Sequence, residues 1–152
     1  ANIKRDTTDL NSLTSLSNIY LMSDRDSLYC ETVESILKNE RLEVEQRVSM
    51  LLDYTRYKDR NDTKYMKGFF EDMLRLPFDR LEIADLYVQY LLYREASPDT
   101  IMPVLEIILE LEPENRSALL QMLVFAIERN DYAEVIRCSD NAILYIPDML
   151  EL

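Results

Sequence analysis

The side chains able to do chemistry are few, and their spacing argues for support rather than reaction. Asp24-Arg25-Asp26 has the carboxylate density of a cation loop. It lacks the glycine and the closing Glu of a calcium loop, and it falls where a link between helices belongs, so capping is its expected role. Glu106, Glu110 and Glu114 recur every four residues and share one helix face. Such a row could line a site, but a solvated outer face is the expected reading. Tyr87, Tyr90 and Tyr93 recur every three residues, as core and rim packing does more often than a ligand box. Cys30 and Cys138, 108 residues apart, each sit in an apolar helical pattern and are expected as two separate buried thiols.

What is missing narrows the chemistry further. The 152 residues contain no histidine, which removes Ser-His-Asp and Cys-His catalysis, the commonest zinc sites and the Glu-x-x-His di-metal motif of helical bundles. The single glycine, Gly68, cannot build a phosphate-cradling loop. The expectation is therefore a protein that is not an enzyme, with no catalytic residue, no metal and no cofactor. Net charge is −12 and uneven: residues 1–76 hold 12 basic and 14 acidic side chains, residues 77–152 hold 5 and 15. The second half would repel a phosphate backbone and an anionic bilayer, so no nucleic-acid partner is expected. Its acid is read as a solvated face, or as attraction for a basic partner. No run of about 18 apolar residues is present, so no direct membrane insertion is expected.

These residues must be positioned by helices. Apolar side chains are 47% of the chain and charged ones 30%, a globular balance. So little glycine argues against hairpin-rich β structure. Over 132–146, Tyr132, Val135, Ile136, Ala142, Ile143 and Ile146 form one helix face, opened by Asn130-Asp131 and closed by Pro147. Over 114–129 the stripe is Leu119, Met122, Leu123, Ala126 and Ile127. Ser97 and Pro98 open a helix carrying Val104, Leu105, Ile108 and Leu111, with Pro103 expected to deform its first turn. Residues 80–95 are rich in Leu and Tyr. Over 62–76, Met66, Phe69, Phe70, Met73 and Leu74 share a face ending at Pro77; over 43–59, Val44, Val48, Leu51, Leu52 and Thr55 do so. Segments 9–22 and 26–38 complete eight helices. Each is too short to be stable alone in water, so stripe must stack on stripe.

The helix-ending prolines are regularly spaced. Pro113 follows Pro77 by 36 residues and Pro147 follows Pro113 by 34. A period near 34 with helix–turn–helix content resembles the tetratricopeptide repeat. In the last pair, Asn130-Asp131-Tyr132-Ala133-Glu134-Val135-Ile136 is similar to that family's turn and second-helix start, with Ala142 in the second small-residue slot and Pro147 in the closing slot. Its first-helix slots hold Leu119, Met122, Leu123 and Ala126, and Leu123 departs from the small residue expected there. Ser139 departs likewise, standing where an aromatic is usual. In the first pair, Leu13, Leu16, Ser17 and Tyr20 fit the first-helix signature, and Arg41 stands in the proline slot. Counted forward from Pro77, Ile83, Leu86 and Tyr90 fit with a slightly long inner turn. The second pair matches in apolar pattern and in Pro77.

The resemblance implies an all-α fold. It is a right-handed superhelical stack of about four antiparallel helix pairs, a single repeat domain over 1–152 with pairs 9–41, 42–77, 78–113 and 114–147. Residues 148–152 would begin a further helix, and the natural chain is expected to extend beyond both ends. In this family first helices line the concave face, where a peptide lies. Mapped residue by residue, that face holds Ser117, Leu120, Gln121, Val124 and Glu128 in the last pair. In the third pair it holds Ala84, Asp85, Val88 and Leu91, and in the first Thr14, Ser15 and Asn18. The family's basic clamp for a peptide carboxylate is missing at the matching places, and the mixed apolar and acidic lining suits an apolar or basic segment. The expected function is a non-catalytic protein- or peptide-binding scaffold whose partner the sequence does not name. The alternatives are a structural spacer in a longer solenoid and, least favoured, a carboxylate-based helical enzyme. Self-association through an uncapped Val135/Ile143 side is also expected. The sequence leaves the compartment open; for a soluble domain that resembles repeats of the bacterial type, the expectation is a bacterial cytoplasm or periplasm.

Overall fold

The computed structural model describes residues 5–62 and 64–145. Among these residues it is all-α. The helices are α1 (Arg5–Met22), α2 (Asp26–Leu37), α3 (Val44–Asn61), α4 (Tyr65–Leu74), α5 (Arg80–Tyr93), α6 (Pro98–Leu111), α7 (Arg116–Glu128) and α8 (Tyr132–Tyr145). Pro77 and Pro113 follow the ends of α4 and α6, as a residue that cannot continue a helix should. Pro98 opens α6, and Pro103 is accommodated on its exposed side without ending the helix. Pro147, Ile146 and the segment 148–152 lie outside the described residues, as does the side chain of Ile143.

Helix starts use several devices. Asn115 caps α7, its Oδ1 accepting from the Ala118 N–H at 2.9 Å. Asp131 accepts from the Glu134 N–H at 3.1 Å, as the Asn130-Asp131 pair predicts. Ser97 stands at the N-cap of α6, but its hydroxyl meets the Thr100 hydroxyl at 3.1 Å instead of a backbone N–H. No side-chain cap forms at Arg25, before α2. The acidic residues around it serve otherwise: Asp24 is the turn residue and Asp26 holds a tyrosine.

One turn recurs between paired helices. Asp24, Glu95 and Asn130 all have left-handed backbone, with φ of 55°, 55° and 54°. The next residue in each case donates its N–H five positions back: Arg25 to Tyr20 O (3.0 Å), Ala96 to Leu91 O (2.9 Å) and Asp131 to Ala126 O (3.1 Å). This is the Schellman closure, which satisfies the last carbonyls of the first helix. It aligns α1, α5 and α7 position by position, with Ser17, Val88 and Leu123 in one slot.

The described residues fall into two compact units, divided between Glu82 and Ile83 in the first turn of α5. In the first unit α1 packs along α2, α2 on α3, and α3 on α4. Ser17 is buried, its Oγ donating to Thr14 O at 2.7 Å, and this small residue fits the side-by-side approach of α1 and α2. The core is built from Val33, Ile36 and Leu37 of α2, Leu51 and Tyr54 of α3, and Met66, Phe69, Phe70 and Met73 of α4. Each such apolar side chain contributes roughly 1.5–3 kcal/mol on burial. On α3 the buried edge is rotated from the expected Val44/Val48/Leu52 stripe. Leu51 and Thr55 are buried, but the remaining core positions go to Arg47 and Tyr54, while Leu52 is exposed.

Arg47 is 1% exposed. Its Nε donates to Leu37 O at 2.9 Å and one terminal nitrogen to Leu42 O at 3.2 Å, while the other donates to Asn39 O. The same guanidinium pairs with the Asp79 carboxylate and stacks 4.5 Å from the Phe78 ring centre. A cation at the C-terminus of α2 meets the negative end of its dipole and the carbonyls no helical N–H can reach. Arg80 repeats the device at α4, donating from Nε to Leu74 O at 3.1 Å.

In the second unit α6 packs on α7 and α7 on α8. Ile101, Val104, Leu105 and Ile108 of α6 are buried, as are Ala118, Leu119, Met122, Phe125 and Ala126 of α7 and Cys138 of α8. Arg129, at the end of α7, pairs with Asp99 of α6 at 2.7 Å, and Arg137 pairs with Glu134 within α8.

Candidate functional site

Two places deserve testing as sites: a tyrosine–carboxylate cluster in the first unit and the outward faces of the first helices of the pairs. In the cluster, Glu34 of α2 accepts hydrogen bonds at one carboxylate oxygen from Tyr54 of α3 and from Tyr65 at the start of α4, the latter at 2.6 Å. Asp26 accepts from Tyr57. The rings interlock: Tyr29 meets Tyr57 edge-on at 4.7 Å, Tyr54 meets Phe69 edge-on at 5.5 Å, and Tyr65 stacks on Phe69 at 6.3 Å. Lys58 lies 4.3 Å above the Tyr65 ring.

Burial, and then the hydrogen bond to Glu34, push the Tyr54 and Tyr65 phenols far above their ordinary value of 10.0. Burial and Asp26 do the same to Tyr57. A phenol held this high is a donor at neutral pH, not a base or nucleophile. The arrangement therefore pins α2 to α3 and α4. Sequence reasoning missed it because its members are spread over residues 26–69 on three helices; only the density of Tyr between 54 and 65 hinted at it.

The other sequence candidates resolve into packing. Tyr87 and Tyr90 are buried and Tyr93 is exposed, so the three do not form one box. Cys30 is half-buried and Cys138 buried, and both are free thiols. Burial and the neighbouring Glu134 carboxylate raise the Cys138 thiol above its usual range, away from thiolate chemistry. Glu106, Glu110 and Glu114 are exposed, as a solvated row should be. Among the described residues no three His, Cys, Asp or Glu side chains converge on a point that would hold a metal.

The outward faces are better defined. On α7, Leu120, Val124 and Ile127 are 47%, 43% and 55% exposed. At 3.6 residues per turn they fall within an arc of about 60°, opposite the buried Leu119/Met122/Ala126 face. Half-buried Gln121 and exposed Glu128 border this strip on one edge, and exposed Arg116 borders it on the other. The turn alignment puts Asp85, Gln89 and Tyr93 of α5 at the positions of Leu120, Val124 and Glu128. On α1 the corresponding residues are Thr14, Asn18 and Met22. Of these, Asn18, Met22, Asp85, Gln89 and Tyr93 are exposed and Thr14 is half-buried. Gln89 donates to Asp85 at 3.0 Å.

The expected face on α5 needs a correction. Val88 is 7% exposed, and Ala84 and Leu91 are buried with it. Val88 stands in the slot of the buried Ser17 and cannot meet a partner while α5 holds its place. The register counted from Pro77 is one residue short, since the helix closes on Leu91 rather than Tyr90. The turn gave no warning, because Glu95 is not a residue type that favours left-handed backbone. The outward residues of α5 are Asp85, Gln89 and Tyr93.

Comparison with protein-family models, with curated proteins and with solved structures yields no match. Among the described residues no helix is long and apolar enough to cross a membrane. Among the described residues the fold thus defines a class, an all-α chain with a repeated helix-closing turn.

Proposed function

We propose that this chain is a non-catalytic scaffold of tetratricopeptide-like helix pairs that binds a protein or peptide on the outward faces of their first helices. The observation that carries this reading is the Leu120–Val124–Ile127 strip. Three branched apolar side chains stand in water on one face of a helix whose opposite face already packs a core. Single exposed apolar residues are ordinary, whereas a row in register along a helix is the footprint of an interaction site. The recurring left-handed turn supports the repeat reading, since it presents equivalent positions of α1, α5 and α7 outward. The neutral, donor-bound phenols around Glu34 support a structural rather than catalytic role for this polar cluster.

Capture from an extract of the source cell tests the proposal. The wild-type chain should retain a partner that Val124→Arg and Gln121→Arg lose and that Glu110→Arg, on the exposed side of α6, keeps. Capture unchanged by the α7 substitutions would remove this face from the argument.

A further inference from the structure

We propose that the occupant of the α7 strip is a cationic amphipathic helix, docked with its apolar face on Leu120, Val124 and Ile127 and its basic residues over the Glu128 end. This rests on the binding reading above and names the partner's chemistry.

The first step is the mode of recognition. An extended peptide adding to a sheet edge needs a strand, and there is none among the described residues. A proline-rich segment needs an aromatic-lined groove, and the strip is aliphatic. Phosphate recognition needs a cluster of arginines, and only Arg116 borders the strip. What remains is helix against helix. Leu120 and Val124 form an i, i+4 ridge and Val124 and Ile127 an i, i+3 ridge, the two kinds of row that interdigitate between packed helices.

The second step is charge. No lysine follows Lys67, and residues 83–140 hold eleven acidic side chains against Arg94, Arg116, Arg129 and Arg137. Arg129 is tied to Asp99 and Arg137 to Glu134. Glu128 is the last residue of α7, where the helix dipole adds to its negative charge. A partner meeting this unit gains by carrying positive charge, and gains most at the Glu128 end. A second copy of the chain, with its own net charge of −12, is repelled.

Synthetic 14-residue helices are the probes. One carries leucine on one face and lysine on the other, the second replaces lysine by glutamate, and the third replaces leucine by serine and keeps the lysines. Fluorescence anisotropy at low and moderate salt should show the Leu/Lys helix binding at least tenfold more tightly than either relative. Val124→Arg should weaken it at least tenfold. Glu128→Lys should weaken it severalfold and flatten the salt dependence. Ile136→Arg, on the exposed side of α8, should leave it within twofold. All three positions are exposed, and circular dichroism checks that each variant is folded.

Equal binding of the Leu/Lys and Leu/Glu helices, both abolished by Val124→Arg, would overturn the cationic assignment and leave the face standing. Equal loss from Val124→Arg and Ile136→Arg would overturn both. Binding of the Ser/Lys helix as tight as the Leu/Lys helix would reduce the effect to bulk charge and overturn the proposal, as would no binding of the Leu/Lys helix at all. A dimer of the chain alone in the ultracentrifuge, made monomeric by Val124→Arg, would assign the strip to a second copy and overturn it too.

Discussion

Arg47 illustrates how one side chain can stand in for several backbone groups. Its guanidinium satisfies carbonyls of Leu37, Asn39 and Leu42 and neutralises Asp79, all from a buried position. Arg47→Met keeps the bulk and loses the donors, leaving buried carbonyls without partners. Urea unfolding should show a loss of roughly 2–4 kcal/mol. Arg47→Lys should recover little of it, because one ammonium cannot span the same fork of acceptors. Backbone preferences are inverted at two other residues. The single glycine, Gly68, sits inside α4, where an added Cβ would meet nothing within 4 Å. Glu95 holds the left-handed turn that glycine would hold more easily. Gly68→Ala and Glu95→Gly should each stabilise the chain by about 0.5–1 kcal/mol in the same assay. Of these features, the sequence shows where Gly68 lies and little else. Arginine at position 47 reads as surface, because burial of a charge depends on acceptors brought from other segments.

The helices themselves were largely legible. Apolar stripes, prolines and capping residues place α2, α6, α7 and α8 to within about two residues at their described ends, because those signals are local. What they could not supply was the rotation of α3, which follows from Tyr54 and Arg47 finding partners on α2 and its link to α3. Nor could they supply the one-residue register of α5. The tyrosine–carboxylate contacts that join α2 to α3 and α4 have a pH signature. Folding raises the phenol pKa values above 10.0, so the folded chain holds protons that the unfolded chain releases above that value. Their contribution is fully present below pH 10 and is lost as pH climbs beyond it. Urea midpoints should fall above about pH 10, and Tyr54→Phe should flatten that fall while costing about 1–2 kcal/mol at neutral pH. Where α1 lies along α2, Ser17→Leu should overpack the contact and cost about 1–3 kcal/mol.

At the scale of the whole molecule, the helix contacts described within each unit join neighbours in sequence: α1 with α2, α2 with α3 and α3 with α4 in the first, α6 with α7 and α7 with α8 in the second. Little loop-closure entropy must be overcome before such contacts form. The main refolding phase in stopped flow should finish within milliseconds, with a minor slow phase from X-Pro bonds that are cis in the unfolded chain; a main phase of seconds would contradict this local topology. The sequence alone determined that the chain is helical, where its helices run and how acidic its second half is, since periodicity, prolines and charge are properties of neighbouring residues. Only the tertiary structure decided which face of each helix meets water. That choice depends on partners far along the chain: Arg47 is buried because Asp79 and three carbonyls receive it, Val88 because its slot is a packed one, and Val124 is exposed because the opposite side of α7 already fills the core.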